Sequence, residues 1–204
     1  MQRLLLVRHG ETTWNASRRY QGHADVPLNE VGRMQARAVA QRLATEHLDA
    51  IYSSDLARAW ETAEAIALHH KLPVHADPRL REMSFGEWQG MTYAEMEERF
   101  PEQVAWWDAD RLNRAAPGGE TLAQVTARLQ SVLDDACHNH PHQTVLFVAH
   151  GGPIRLLLCL LLNKSPSEFW QFEVSNTSLS EIVWRPAGPR LYLWNDTHHL
   201  REYL

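Results

Sequence analysis

Two stretches of the chain share one pattern and decide the fold: residues 4–10 (LLLVRHG) and residues 146–152 (LFVAHGG). Each is a continuous apolar run that ends in a His-Gly pair, His9-Gly10 in the first and His150-Gly151 in the second. Such runs are typical of strands buried on both faces of a parallel sheet. Ligands bind beyond the carboxyl ends of these strands, so we predict that both histidines lie at one ligand-binding edge.

Strand and helix signals alternate outward from these two runs. Strands are predicted over residues 2–7, 49–53, 73–76, 144–149, 180–184 and 191–194. Helices are predicted over residues 29–46, after Asp55, through residues 122–132 and from Pro153. This alternation favours an α/β fold, a three-layer α/β/α sandwich with a mostly parallel central sheet. We expect a single domain over residues 1–204, in which the irregular, aromatic-rich segment 83–120 is a small cap or insertion.

Three local details accompany this prediction. Val31, Met34, Ala38 and Leu43 fall roughly on one face of the helix over 29–46 and are predicted to be its buried side. Asp55 is predicted to be the N-cap of the next helix. Pro153 is predicted at the first position of the helix that follows residues 144–149.

Composition limits the possible partners. The 204 residues carry a formal net charge of −5 with His neutral, and no Lys/Arg run supplies a basic stripe, so nucleic acid is not expected as a partner. No run of 18 apolar residues is present, which predicts no membrane span. The sequence shows no secretory signal, and Cys137 and Cys159 stand in apolar helical contexts, so we expect a cytoplasmic protein with two buried thiols. The sequence does not reveal the oligomeric state, and a homodimer is one possibility.

Positive and imidazole side chains gather at the predicted ligand edge. Arg8 precedes His9, and Arg58 stands near the start of the helix after strand 49–53. Guanidinium forks and helix N-termini both suit phosphate, so two Arg and two His at one edge predict a phosphate site. The cluster His138, His140 and His142 is compatible with a metal, but the loop context around Pro141 favours a solvated connector, and no metal is expected.

The stretch Arg8-His9-Gly10-Glu11-Thr12 resembles the opening motif of the histidine phosphatase superfamily, the group that includes cofactor-dependent phosphoglycerate mutases. The likeness covers nearly the whole chain. Further motifs follow in the family's order: 21–22 (QG), 27–29 (PLN), 53–59 (SSDLARA), 80–82 (LRE), 85–90 (FGEWQG), 117–121 (PGGET) and 149–152 (AHGG).

The resemblance implies a role for each matched residue. His9 is similar to the nucleophile that receives a phosphoryl group, and Glu82 to the proton donor. Arg8, Arg58 and His150 are similar to the phosphate clamp. Further phosphate contacts are implied for Asn15, Gln21, Gly22 and the backbone N–H of Gly151. With this many fixed donors the family's chemistry implies neither a metal nor another cofactor, and the implied partner is a small phosphorylated substrate.

The family contains phosphatases and mutases, and the resemblance leaves both possible. Typical mutases carry Glu-Arg-His-Tyr-Gly around the acid, whereas residues 81–86 read REMSFG, and only Arg111 and Arg114 stand in for the mutases' basic pair. The segment offers aromatic side chains instead: Phe85, Trp88, Tyr93, Trp106 and Trp107. We therefore predict a metal-independent phosphomonoesterase, with similarity to α-ribazole phosphatases at residues 195–200. The alternatives are a phosphoglycerate mutase and a non-catalytic phosphate- or phosphoprotein-binding protein.

Overall fold

A computed structural model describes residues 1–201 of the chain. Within these residues the sheet has six strands: β1 Arg3–Arg8, β2 Ala50–Ser53, β3 Val74–Ala76, β4 Thr144–Ala149, β5 Leu179–Arg185 and β6 Gly188–Asp196. Their order across the sheet is β3-β2-β4-β1-β5-β6. The four strands from β3 to β1 are parallel, and β5 and β6 add an antiparallel edge. The mostly parallel central sheet is confirmed.

Helices cover both faces of the sheet. They are α1 Thr13–Ala16, α2 Glu30–Leu43, α3 Ala57–His70, α4 Tyr93–Arg99, α5 Pro101–Ala109, α6 Leu122–Asn139 and α7 Gly151–Leu161. Short 3₁₀ turns cover Pro78–Leu80, Gly86–Trp88, Pro166–Gln171 and His198–Leu200. In the part of the chain that the structure describes, no helix is both long enough and apolar enough to cross a membrane.

Side chains of the buried strands alternate between two apolar cores. In β1, Leu5 and Val7 pack with the apolar residues of α2 and α3, whereas Leu4 and Leu6 pack with those of α6 and α7. The period of two residues in a strand sends successive side chains to opposite faces, so each strand needs apolar residues throughout. This explains the non-alternating sequence of residues 4–7 and confirms the three-layer α/β/α sandwich.

The predicted buried face of α2 is confirmed at Ala38 and Leu43 and wrong at Val31 and Met34. Val31 and Met34 are 42% and 38% exposed, while Ala36, Val39 and Leu43 are buried. The buried stripe is made largely of small residues, which let α2 approach α3 and the sheet closely. A hydrophobicity pattern gives weight to large side chains, so it favoured Val31 and Met34 over the small residues that are buried near the start of the helix, Gly32 and Ala36.

The predicted cap of α3 is also wrong. The N-cap position is Leu56, without a side-chain cap, and the Ala57 N–H donates to Asp25 instead. Asp55 forms an ion pair with Arg81. A long-range partner for the carboxylate has thus replaced the local cap that sequence proximity suggested.

Two further segments differ from expectation. Pro153 is the third residue of α7, because Gly151 and Gly152 already belong to the helix and His150 is its N-cap. Segment 83–120 is not irregular throughout, because it contains α4 and α5. Its buried residues, including Trp88 and Trp107, belong to the same apolar cluster as Leu4 and Leu6.

Candidate active site

A cavity of about 570 Å³ opens at the carboxyl ends of β1 and β4. Its floor includes Arg8 and His9 from the end of β1, and Gly151 and Gly152 from the start of α7. Residues of segment 83–120, such as Phe85, form part of its wall. The sheet edge predicted from the two His-Gly pairs is therefore the edge that carries the cavity.

The loop after β1 is fixed by direct backbone packing on α2. A Cβ atom on Gly10 would lie 2.4 Å from the Gly32 carbonyl oxygen, and one on Gly32 would lie 2.0 Å from the Glu11 carbonyl oxygen. Neither position has room for a side chain. The His9 backbone N–H also donates to Ala149 in β4 at 3.0 Å, so the residue is fixed from both sides.

The His9 ring has a defined tautomer. Its Nδ1 lies 2.6 Å from the Gly10 carbonyl oxygen, which can only accept, so we assign the ring proton to Nδ1. Burial, together with the nearby Arg58 and Arg8 guanidinium groups, holds the pKa of His9 well below its usual value. The ring is therefore neutral near pH 7, with the lone pair on Nε2.

His150 is completely buried, and its ring centroid lies 5.0 Å from that of His9. Its Nε2 lies 2.9 Å from the Ser54 Oγ, which already accepts the Leu56 N–H at 3.3 Å. The hydroxyl proton has no other acceptor among residues 1–201, so we assign it to a bond with Nε2 and assign the His150 ring proton to Nδ1. Among residues 1–201 the Nδ1 has no hydrogen-bond partner. A buried donor without a partner is costly, so this Nδ1–H is a candidate contact for a ligand, although His150 is not among the residues that line the cavity.

Two guanidinium groups stand beside the histidines. Arg8 donates to the Val174 carbonyl at 2.6 Å, and Arg58 donates to the carbonyls of Ala24 and Gly22 at 2.8 Å each. Burial lowers the pKa of both guanidinium groups to about 10, although the Glu82 carboxylate opposes the shift, so both stay charged at neutral pH. The Nε atom of each is buried without a partner in the described chain, which leaves donors for an anion.

Glu82 approaches the start of α7 across a sequence separation of 70 residues. Its Oε1 accepts the Met83 N–H at 2.9 Å, and its Oε2 accepts the Gly152 N–H at 3.3 Å. A Cβ atom on Gly152 would lie 2.4 Å from the Glu82 Oε1, so the carboxyl group occupies space that only glycine leaves open. Gly152 is therefore a positioning residue for Glu82.

The main chain around Glu82 is fixed by Arg128 of α6. Its guanidinium donates to the carbonyls of Arg79, Arg81 and Glu82, and pairs with the Glu120 carboxylate at 2.9 Å. Burial opposes ionisation of Glu120, but hydrogen bonds from Arg128 and the Ser84 backbone outweigh it and lower the pKa of that carboxyl group. A partly buried pair with this many hydrogen bonds fixes the loop that carries Glu82.

The four other predicted contact residues occupy different places. Asn15 and Gln21 line the cavity, and the side-chain oxygens of both lie within hydrogen-bond distance of the Thr12 hydroxyl, at 3.1 and 3.0 Å, so they share its single proton. Their amide nitrogens are thus the groups left for a ligand. Gly151 lines the cavity floor. Gly22 does not line it, and acts instead through its carbonyl on Arg58.

Sequence reasoning missed Ser54, Gly152 and Arg128 as contributors to this site. Ser54 and Gly152 stand inside matched motifs, at the end of β2 and directly after His150-Gly151, so their positions were a usable signal. Arg128 lies in the middle of α6, and its partners are backbone carbonyls 46–49 residues away. No local pattern reveals such contacts.

The sequence profile described as "Histidine phosphatase superfamily (branch 1)" matches residues 4–197 of the chain. The protein belongs to the histidine phosphatase superfamily. The family resemblance predicted from the motifs is confirmed, and it extends over nearly all of the described chain.

Several histidine phosphatase relatives match at full length. "Phosphoserine phosphatase 1" of Hydrogenobacter thermophilus is 40% identical, over 100% of this chain and 96% of the relative. "Phosphoglycerate mutase-like protein 4" of Arabidopsis thaliana is 38% identical over 98% of this chain and 87% of the relative. "Metal-independent phosphoserine phosphatase", from the same plant, is 36% identical over 97% and 82%. The crystal structure of the alpha-ribazole phosphatase from Shigella flexneri superposes with a TM-score of 0.89 at 30% identity, covering 95% of this chain and 96% of that one.

The protonation state of His9 gives a first prediction for this histidine phosphatase. At pH 6, the ¹⁵N spectrum of the ring is expected to be that of neutral imidazole with the proton on Nδ1, since the lowered pKa keeps the ring uncharged below the usual value near 6.5. The assignment is made by comparison with the spectrum of a His9→Ala protein. Imidazolium shifts for His9 at pH 6 would contradict the prediction.

A second prediction concerns the space beside Glu82. Gly152→Ala is expected to displace the carboxyl group, because the new Cβ would overlap the Oε1. Misplacement by about 1 Å costs up to roughly 10²-fold in rate, so kcat for an alkyl phosphate ester is expected to fall about 10- to 100-fold. The melting temperature is not expected to fall, since alanine is the better helix former at this helical position. An unchanged kcat would show that Glu82 is not positioned by this glycine.

Proposed function

We propose that the protein is a metal-independent phosphomonoesterase that forms a phosphohistidine intermediate on His9 and acts on small phosphorylated metabolites. The observation that carries this proposal is the neutral His9 ring beside two charged guanidinium groups, with its Nδ1 bonded to Gly10. A lone pair on Nε2 among fixed cations is the arrangement that an in-line attack on phosphorus requires. The names of the relatives support hydrolysis of a phosphate ester.

The first chemical step transfers the phosphoryl group to His9. The Nε2 lone pair forms a bond to phosphorus while the ester P–O bond breaks, and the leaving oxygen takes that electron pair. Glu82, acting as the general acid, donates a proton to this oxygen and releases the alcohol. Arg8, Arg58 and the His150 Nδ1–H stabilise the charge on the three remaining oxygens, which is the main contribution that a protein makes to this reaction.

The second step returns the enzyme to its starting state. Water attacks phosphorus, the N–P bond breaks, and its electron pair returns to the His9 Nε2. The Glu82 carboxylate takes the proton from the attacking water and is then ready for another cycle. The Gly10 carbonyl accepts from Nδ1 in both steps and so stabilises the charge that phosphorylation places on the ring. We also propose that Asn15, Gln21 and the Gly151 N–H contact the phosphoryl oxygens.

The contacts of Arg111 and Arg114, the two candidates for the basic pair of the mutases, argue against the mutase alternative. Arg111 is ion-paired with Asp108 and lies over the Trp107 ring at 4.1 Å. Arg114 lies over Trp106 at 4.9 Å and donates to its carbonyl oxygen. Arg111 is thus engaged by a carboxylate, and Arg114 does not line the cavity. We propose that segment 83–120 caps one domain and sets specificity, since Phe85, Tyr93 and Trp107 of this segment line the cavity.

The decisive test is a steady-state assay of the purified protein in excess EDTA. Hydrolysis of p-nitrophenyl phosphate at an unchanged rate with and without EDTA is expected for a metal-independent phosphatase. Isomerisation of 3-phosphoglycerate on addition of 2,3-bisphosphoglycerate, without hydrolysis, would support the mutase instead. Activity in neither assay, nor on a panel of phosphorylated metabolites, would support a non-catalytic phosphate-binding protein.

The compartment and the assembly of the protein belong to the same proposal. We propose a cytoplasmic enzyme, since Cys137 and Cys159 are free thiols and burial raises the pKa of both. Thiols in this state are inert and suit a reducing compartment. A homodimer is the assembly to test by light scattering.

A further inference from the structure

Arg155 lines the same cavity and has no part in the proposed reaction. It is half-buried on α7, and its Nε is buried without a hydrogen-bond partner among residues 1–201. No acceptor in the described chain lies within hydrogen-bond or ion-pair distance of it. A guanidinium that loses part of its hydration without gaining an acceptor is destabilised. A bound anion would compensate for the lost hydration.

Two of the other cationic side chains around the cavity form ion pairs with carboxylates. Arg19 pairs with Glu95 at 2.6 Å, and Arg111 pairs with Asp108. Arg8 and Arg58 belong to the phosphate clamp described above. Arg18 also lines the cavity, but it is exposed to solvent, where a charge is well hydrated and attracts an anion weakly. Arg155 therefore differs from the rest in being partly desolvated without any hydrogen-bond or ion-pair partner among residues 1–201.

The position of Arg155 relative to the phosphate clamp follows from helix geometry. Residues four apart lie on the same face of a helix, one turn or roughly 5.4 Å further along the axis. Gly151 lies on the cavity floor close to the Arg8 guanidinium, so Arg155 stands one turn away from the clamp on the same side of α7. The two guanidinium groups are near enough for Arg155 to lower the pKa of Arg8. A substrate that fills both positions needs a second anionic group close to its ester oxygen.

We propose that Arg155 binds a carboxylate on the alcohol portion of the substrate, so that the preferred substrates are phosphomonoesters of small hydroxy acids. This inference rests on the proposed phosphatase function and names its substrate class. A carboxylate fits better than a second phosphate, because one free guanidinium balances one negative charge, whereas the phosphoryl group is met by two arginines and His150. The planar fork of arginine matches the two carboxylate oxygens.

The surroundings of Arg155 support a specific contact. Leu156, Phe169 and Leu122 line the cavity together with it, so apolar side chains form part of the surface around the bound pair. A charge-assisted hydrogen bond in such surroundings contributes more than one in water. Loss of one such pair corresponds to about a tenfold or larger change in affinity.

The test compares two ligands that differ only in the carboxylate, O-phosphoserine and O-phosphoethanolamine. Both are titrated calorimetrically into the His9→Ala protein, in which they are not consumed. We expect phosphoserine to bind about tenfold or more tightly than phosphoethanolamine. Adding Arg155→Met is expected to reduce that ratio to less than about threefold, while the Kd for phosphoethanolamine changes by less than about threefold. Arg155→Lys keeps the positive charge but lacks the planar guanidinium that can bond both carboxylate oxygens. It is expected to give an intermediate ratio of the two Kd values.

Arg18→Met in the same His9→Ala background is the matched control, since it removes an exposed cation from the same cavity, and the ratio should stay within about twofold. Equal weakening of both ligands by Arg155→Met would place Arg155 in the phosphate clamp and overturn the proposal. No preference for phosphoserine, or no binding of it, would overturn it as well. Release of inorganic phosphate by the His9→Ala protein would overturn the proposed nucleophile but not the role of Arg155.

Discussion

The His9→Ala protein is expected to lose turnover almost completely, with kcat reduced by at least about 10⁴-fold. The imidazole is the group that bonds to phosphorus, and among residues 1–201 the other ring at this site, His150, is held through its Nε2 by Ser54. Without a nucleophile the reaction loses the division into two easier steps. Residual activity would come from the phosphate clamp alone.

The accompanying measurement is trapping of the intermediate. The wild-type protein, quenched in acid or in base after mixing with ³²P-labelled substrate, is expected to carry a phosphoryl label that is labile in acid and stable in base. The His9→Ala protein should carry none. His69→Ala, which removes an exposed imidazole at the end of α3, is the control and should keep both the label and the rate.

Two outcomes would contradict the assignment of His9. Activity of the His9→Ala protein within about tenfold of wild type corresponds to a barrier change of roughly 1.4 kcal/mol, which is too small for loss of a nucleophile. A label of the same stability in the His9→Ala protein would place the phosphoryl group elsewhere. Circular dichroism should show the same fold in all three proteins, so that loss of activity is not confused with unfolding.

The parts of the molecule that were predictable from sequence are those where local patterns and burial agree. Residues 4–7 of β1 and 145–149 of β4 are all apolar because both faces of the sheet are covered, and the carboxyl ends of the two strands bring His9 and His150 together at 5.0 Å between ring centroids. Arg58 was placed correctly because it stands in the first turn of a helix that follows a parallel strand. Topology alone brings these three residues to one edge.

The failures share a different cause, which is dependence on partners distant in sequence. Asp55 satisfies the criteria for an N-cap, but Arg81 provides a stronger partner. The alanines on the buried side of α2 carry little hydrophobic weight, although they allow the closest packing. Glu82 could be chosen from the family resemblance and not from local sequence, because its surroundings consist of Gly152 in α7 and Arg128 in α6.

Glu82→Gln is the second change expected to have a large effect, and its size should depend on the leaving group. An alkoxide needs a proton as it departs, so loss of the general acid is expected to lower kcat/KM for an alkyl phosphate by about 10²- to 10⁴-fold. p-Nitrophenolate is stable without that proton, so kcat/KM for p-nitrophenyl phosphate should fall less than about tenfold. Among residues 1–201, no other carboxyl group lines the cavity to replace it.

The same variant separates the two chemical steps, because Glu82 is also the base that activates water. The parameter kcat/KM reports the steps through transfer of the phosphoryl group to His9, whereas kcat also includes hydrolysis of the intermediate. With p-nitrophenyl phosphate the Glu82→Gln protein should therefore release a rapid burst of about one equivalent of p-nitrophenol per site, followed by a slow steady rate. Equal losses in kcat/KM for both substrates, without a burst, would mean that Glu82 stabilises charge or structure and does not transfer the proton.

Gly152→Ala provides the comparison, because it moves the same carboxyl group without removing it. It should therefore show the same dependence of kcat/KM on the leaving group, with a smaller loss for the alkyl phosphate.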